Sequence, residues 1–418
     1  MQHNEIYMCL EVSEYAIKAV VAEYHNSNTF VLASTQREFA YHDDGSDNIK
    51  TVIAEIKSEI TSLLGYEIKN TILVIPSNHC KKFSDKIKVD TFNFVVSKEE
   101  IAKGVEEIIK KNDNDSDFVV SVVIDKYSAY GYGYVSNPVG LETRYIELEA
   151  SVYTVPTVIA YPLIKLVEDA GFNVVDVCLD IIAIAQEAIV PSALKTGAII
   201  VDLNFASTNI AHFKNNTLKA YATIELGGKQ ITNDLALCAQ IDFSKAELFK
   251  KKYVNLNIEE INDLVIYRYH DEVNNEDVEI SQTFVSEVAK SRVSEILSLV
   301  NKELSNLEIE DGEVVYFCGG ANNINGLEHI LKQTITFPYK VCHSKTLGAR
   351  HSGYLKCLGA IKHEASFSRV RGEIKLFVNK KDYINSINLV EKNNLLYNSD
   401  SKLENDFIKR LVSYIFNN

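Results

Sequence analysis

The run Ala198-Ile199-Ile200-Val201-Asp202-Leu203 decides the fold, because an apolar strand closed by an acid has a counterpart at the start of the chain, Ile6-Tyr7-Met8-Cys9-Leu10-Glu11. Each opens the same series of elements. In the first block, β-rich runs at 6–10, 16–23 and 30–35 predict an antiparallel meander. Ile49, Val52, Ile53, Ile56, Ile60, Leu63 and Leu64 then follow at helical spacing. Gly65 stops that helix, and 70–75 reads as a buried strand ended by Pro76. In the second block, strands at 198–203, 207–214 and 217–225 precede a helix over 227–238 entered through Gly227-Gly228, and a strand at 314–317 follows later. The order βββαβ thus occurs twice, with Glu11 and Asp202 in equivalent places.

Between the two copies lies a smaller module starting near Phe83. It reads as a helix over 98–111 with Ile101, Val105, Ile108 and Ile109 on one face, then strands at 118–124, 127–135 and 143–154. Asn137-Pro138-Val139-Gly140 is a tight turn between two of them. A helix over 157–170, a strand over 173–179 and a helix over 181–189 lead into the second copy. Beyond 227–238, the spacing predicts helices over 245–253 and 283–306, short strands at 265–269 and 278–281, a helix at 325–334, and a closing helix over 348–362.

The bulk properties set limits on function. The 418 residues are 46% hydrophobic and 24% charged, which is ordinary globular usage and implies two or three domains at about 150 residues each. With 43 basic against 57 acidic residues the net charge is −14. Such a chain repels polyanions, so nucleic acid is not an expected partner. No apolar run reaches the roughly 18 residues of a spanning helix, and the first ten residues lack a basic-then-apolar signal pattern. The expectation is an intracellular protein. Cys9, Cys80, Cys178, Cys238, Cys318, Cys342 and Cys357 form no CxxC pair and read as reduced thiols, and the ten histidines show no metal spacing.

Past residue 364 the composition turns to Asn, Lys and Ser. Between 365 and 402, Arg369, Arg371, Lys375, Lys380, Lys381, Lys392 and Lys402 outnumber Glu373, Asp382, Glu391 and Asp400, giving a net charge of +3. That stretch reads as a partly disordered linker. The last element carries Leu403, Phe407, Ile408, Leu411, Val412, Ile415 and Phe416 on a single helical stripe, opposite Glu404, Asn405, Asp406, Lys409, Arg410 and Ser413. A free amphipathic helix docks on its own domain, on a partner or on a membrane.

A duplicated βββαβ core with an acid closing each first strand is the plan of the actin-like ATPases. More closely, the chain resembles FtsA, the bacterial cell-division actin homologue. The carriers are Asn137-Pro138-Val139-Gly140-Leu141-Glu142 with Arg144 and Leu148-Glu149-Ala150, then Gly227-Gly228-Lys229-Gln230-Ile231-Thr232-Asn233-Asp234, Lys245-Ala246-Glu247 with Lys250 and Tyr253, the stretch 317–327, and the terminal helix. The implied architecture is α/β, a duplicated actin-like (ribonuclease H-like) fold with an FtsA-type inserted αβ subdomain and a C-terminal amphipathic helix. Its parts are 1–82 and 157–196 (first core subdomain), 83–156 (insert), 197–226 with 300–345 (second core subdomain), 227–299 (its smaller companion), 346–364 (closing helix), 365–402 (linker) and 403–418 (membrane-targeting helix).

The resemblance implies ATP or ADP with Mg²⁺ between the halves, held by Glu11, Ser13, Asp202, Gly228, Glu247, Lys250, Gly319 and Gly320, with Asp202 toward the metal. The phosphate loops depart from the family pattern. Val12 replaces the first-loop glycine, Asn204, Phe205 and Ala206 stand where the second loop has glycines, and Cys318 replaces a third-loop glycine. Glycines serve there because bare backbone N–H groups must approach phosphate closely. Glu14 adds a negative charge, worth roughly 4 kcal/mol of repulsion against another charge about 4 Å away at an effective dielectric of about 20. Asp180 takes the hinge-helix position where the family often has Glu.

The resemblance further implies self-assembly into filaments, membrane attachment through the terminal stripe, and binding of the C-terminal peptide of the tubulin-like FtsZ, with Lys290 and Arg292 facing that acidic peptide. The expected function is an actin-like cell-division protein that polymerises on the inner membrane face and tethers FtsZ at the division site, at most a weak ATPase. Two other readings stand beside it. One is an actin-like scaffold of pilus-assembly type that binds a partner peptide without a membrane anchor. The other is a sugar-kinase-like enzyme, weakened by the eroded loops.

Overall fold

The computed structural model describes residues 5–25, 28–39, 46–271, 275–344 and 346–371. The terminal stripe 403–416 and most of the stretch read as a linker lie outside the described residues.

The first copy runs β1 (Glu5–Val12), β2 (Ala16–His25), β3 (Asn28–Glu38), α1 (Ser46–Leu64) and β4 (Asn70–Ile75). The insert follows as β5 (Lys81–Asp90), α2 (Lys98–Asn112), β6 (Asp117–Ala129), β7 (Gly133–Val135) and β8 (Tyr145–Pro156). The chain returns to the first half through α3 (Thr157–Asp169), β9 (Asn173–Leu179) and α4 (Asp180–Ala188). The second half holds α5 (Pro191–Thr196), β10 (Ala198–Leu203), β11 (Thr208–Lys214), β12 (Thr217–Ile224), α6 (Gly228–Ala239), α7 (Phe243–Lys252), β13 (Val265–Asp271), β14 (Glu276–Ser281), α8 (Gln282–Asn306), β15 (Val314–Cys318), α9 (Leu327–Thr334) and β16 (Tyr339–Val341). Finally α10 (Leu355–Arg371) crosses back.

The duplication is exact at the level of topology. The first five-stranded sheet has order β3-β2-β1-β4-β9 and the second β12-β11-β10-β15-β16. In each, the central strand pairs antiparallel with the next strand and parallel with a later one. Glu11 stands opposite Lys18 and Val74, and Asp202 opposite Asn209 and Cys318. Central strands covered on both faces need continuous apolar runs, and β10 is buried along its whole length.

The insert is a separate four-stranded antiparallel sheet, β5-β8-β6-β7, backed by α2. Ser97 caps α2 and forms a reciprocal capping box with Glu100. Some of its strands differ from the sequence reading. The strands expected at 118–124 and 127–135 are β6, which runs on to Ala129 through a bulge near Asp125, and the three-residue β7. Neither the polar, mostly exposed β5 nor the three-residue β16 stands out by pattern.

Helices α4 and α10 join the halves. A Cβ built on Gly359 would lie 1.8 Å from the Ala183 carbonyl oxygen, so the two helices touch backbone to backbone. The apolar cluster of the first half runs through this crossing to Ile200, Ala211 and Phe213 of the second sheet. The second half has its own core around α6, α8 and α9, centred on Leu235, Leu297 and Phe317. Helix α10 also outlasts the expected closing segment, continuing to Arg371. Because the Gly359 contact is with backbone, no rotamer change relieves it. Gly359→Ala is therefore expected to cost about 1–3 kcal/mol, read as a lower urea midpoint at unchanged m-value.

Candidate functional site

The two acids that close the central strands meet at one ammonium group. Lys356, in the first turn of α10, is buried and sits 2.9 Å from Asp202, 3.5 Å from Asp180 and 3.7 Å from Glu11. Asp202 is fully buried, and Asp180 and Glu11 are nearly so. Lys356 also donates to Asn204 Oδ1 at 2.9 Å, and Asn204 donates to Asp202 Oδ2 at 2.7 Å. Asp180, at the start of α4, accepts from the Ser77 hydroxyl and from the Ser77 backbone N–H at 3.0 Å. Lys18 pairs with Glu11 at 3.1 Å from the neighbouring strand. One cation thus ties β1, α4, β10 and α10 together.

The charges are strongly coupled. Burial works against the Lys356 ammonium, but Asp202, Asp180 and Glu11 outweigh it and hold its pKa well above the ordinary lysine value. Burial likewise acts to raise Glu11, yet Lys18 and Lys356 prevail and keep it below the usual carboxylate value. Asp180 goes the other way. Its burial, reinforced by the charges of Asp202 and Glu11, pushes it up despite Lys356.

Above this cluster the two hairpin turns close on each other. Tyr15 of the β1–β2 turn stacks on Phe205 of the β10–β11 turn, with centroids 4.5 Å apart and planes 21° from parallel. Phe243 meets the other edge of Phe205, and the Lys250 ammonium lies 5.4 Å from its centroid. Lys251 of α7 pairs with Glu38 at the end of β3 and donates to the Tyr15 hydroxyl at 3.1 Å. Burial pushes the Tyr15 phenol up to about 12, so it stays protonated.

Five of the eight residues proposed for nucleotide fall into two groups. Glu11 and Asp202 are brought together by Lys356. Gly228, Glu247 and Lys250 form a second buried set, in which Lys250 pairs with Glu247 at 2.5 Å and donates to Gly228 O at 2.9 Å and Thr232 Oγ1 at 2.8 Å. Ser13 is turned to its own hairpin, its hydroxyl donating to Ala16 O at 2.7 Å. Gly319 takes φ +95°, and a Cβ there would lie 2.4 Å from Leu203 O, so glycine is required by packing against β10. Gly320 is exposed at the start of a short 3₁₀ turn. On α8, Arg292 is held by Asp234 at 2.6 Å and Glu295 at 2.5 Å, and Lys290 is half-buried two residues before it. Lys356, Tyr15, Lys18 and Ser77 went unmarked in the sequence. The one available signal was a lysine inside the small, apolar run Leu355-Lys356-Cys357-Leu358-Gly359-Ala360.

Removing the ammonium leaves the buried Asp202 and Asp180 without a counter-ion and Glu11 with Lys18 alone, which costs about 3–5 kcal/mol. Lys356→Met is expected to lose that much in urea denaturation at neutral pH. In the natural chain Glu11 and Asp180 are shifted in opposite directions and their pH terms oppose each other. In the variant burial and mutual repulsion raise the carboxyl pKa values, so stability is greatest below them and falls as pH rises through them. The variant should therefore regain stability on going from about pH 7 to about pH 5, more than the natural chain does; a parallel pH profile would count against this role for Lys356.

Known proteins agree with this architecture. The sequence model of the family described as cell division protein FtsA matches residues 199–359. The chain is 23% identical to the cell division protein FtsA of Bacillus subtilis (strain 168) over 380 residues, covering 89% of this chain and 86% of the relative. It is 21% identical to the Enterococcus hirae protein over 408 residues, covering 96% and 92%. Among solved structures it resembles a chain of the PilM–PilN type IV pilus biogenesis complex (TM-score 0.54, 15% identity, 85% of this chain and 98% of that one). It also resembles MreB5 of Spiroplasma citri bound to ADP (TM-score 0.52, 14% identity, 87% and 98%). The duplicated sheets and the helices that join them give the chain the fold of these solved structures, and along most of its length it is similar to cell division protein FtsA.

Proposed function

We propose that the protein is a membrane-bound adaptor of cell division, which assembles through its actin-like body and tethers FtsZ to the inner face of the membrane. The observation that carries this reading is the alignment with cell division protein FtsA along nearly the whole chain, insert included. The terminal stripe supports it from sequence. Seven apolar side chains on about 14 residues contribute several kcal/mol at roughly 25 cal/mol per Å², less the cost of ordering the helix. Within that helix Glu404 and Asp406 offset Lys409 and Arg410, so attraction to anionic lipid is modest. A single such helix binds reversibly, and stable attachment then draws on the avidity of an assembled filament. No helix among the described residues is long and apolar enough to cross a membrane. This function needs no turnover of nucleotide, and we propose no enzymatic role.

The surface proposed for the FtsZ peptide is the stretch of α8 around Lys290 and Arg292. Arg292 is already neutralised by Asp234 and Glu295. Lys290 therefore supplies the charge available to an acidic peptide, with Arg292 organising the neighbouring face.

Two measurements test the reading. In liposome co-sedimentation, the full chain should pellet with vesicles and a chain ending at Lys402 should stay in the supernatant. If neither pellets, the anchor is wrong and a scaffold of pilus-assembly type becomes the better account. In a peptide-binding assay, Lys290→Glu should weaken binding of the FtsZ C-terminal peptide about tenfold or more, as expected for losing one charge-assisted contact. Arg292→Glu should weaken it too, and unchanged affinity in both removes this face from the site.

A further inference from the structure

Several contacts at the place where this fold would hold Mg²⁺ and phosphate work against both. A metal needs carboxylates it can reach, and Asp202 is fully buried with Lys356 2.9 Å from Oδ2. Asp202 Oδ1 has no hydrogen-bond partner, but a divalent cation there would share the carboxylate with that ammonium. A phosphate needs free N–H groups at a loop or helix start. At the start of α6 those groups are already used, Gly228 N–H donating to Asn204 O at 2.9 Å and Lys229 N–H to Phe205 O at 2.7 Å. The hairpin N–H groups of Ser13 and Asn204 are closed onto Ala16 O and Ser207 O at 3.1 and 3.0 Å. The carbonyls of Asn204 and Phe205 lie where an anion would approach, and a carbonyl oxygen repels an anion.

We infer that the cleft is filled by the chain itself: Lys356 is its resident cation, the Tyr15–Phe205 stack its plug, and the two halves are held closed without nucleotide or metal. The sequence changes are consistent with one another in this light. Phe205 and Asn204 in place of glycines provide the plug and the bridge between Lys356 and Asp202. Closure of the body is then constitutive, and assembly cannot be timed by loading or hydrolysis. The inference stands on the geometry of the cleft, whether or not the protein binds membrane or FtsZ.

The experiment uses the purified full chain. Calorimetric titration with Mg-ATP and with Mg-ADP should show no saturable heat. A ligand present at about 100 times its Kd raises Tm by several degrees, so about 5 mM Mg-ATP should move Tm by less than about 1 °C if no site exists. EDTA should also leave Tm unchanged. Amide hydrogen exchange provides a local readout. The turns 13–16 and 204–207 should exchange at the same rate with and without Mg-ATP. Saturable binding with a micromolar Kd, or about tenfold slowing of exchange in both turns on adding Mg-ATP, would overturn the inference. Tyr15→Ala with Phe205→Ala, which spares the buried ions, should speed exchange in both turns about tenfold or more with the remainder of the fold protected. Unchanged exchange in that variant would remove the plug.

Discussion

Four buried charges hold this protein together, and they are tolerable only as a set. An isolated carboxylate in an apolar core neutralises itself or unfolds its surroundings. Here Glu11, Asp180 and Asp202 are each within 4 Å of one ammonium, and Lys18, Ser77 and Asn204 take up much of their remaining hydrogen-bonding capacity. The arrangement depends on the duplication. Equivalent strands from two copies of one topology end in acids, and the two ends converge on the joining helices. One lysine at the start of α10 can therefore serve both halves. Each carboxylate lies beside the same cation, so the place where the halves meet is specified along with their charge balance.

The turns around that cluster follow from it. With the interior charge settled by a side chain, nothing requires the loops to present bare backbone. Ser13 and Asn204 close their N–H groups within their own turns, and residues with side chains stand where glycines would otherwise be needed. The Tyr15–Phe205 stack contributes about 1 kcal/mol beyond the area it buries. It also shields the ion cluster from water, which strengthens every electrostatic contact beneath it.

Much of this was legible in the sequence. The repeated strand order and the acids at Glu11 and Asp202 are local patterns, and the two five-stranded sheets have the topology they imply. What periodicity could not show was what those acids face. Lys356 lies 154 residues from Asp202 in sequence, and nothing local marks a lysine in an apolar helix as an internal counter-ion. Glu247 and Lys250 illustrate the same gap from the other side. Their spacing of three places them on one helical face, which suits a ligand and equally suits each other, and in the structure they pair. Strand β5 escaped because its side chains are mostly polar and exposed, so its only signal is pairing with β8.

The contact between Gly359 and Ala183 has a mechanical meaning. Two helices that meet through their backbones have no layer of side chains to shear, so they resist sliding and behave as a pin joint. Any relative motion of the halves is then a rotation about that pin. Lys356 sits less than one turn of α10 away, where the lever arm is shortest and even a strong electrostatic force exerts little torque. The contacts of Tyr15 with Phe205 and of Lys251 with Glu38 join the halves through elements other than the two helices, where weak contacts act with more leverage. The ion cluster therefore fixes where the axle is, and a few ordinary contacts at the rim fix the angle.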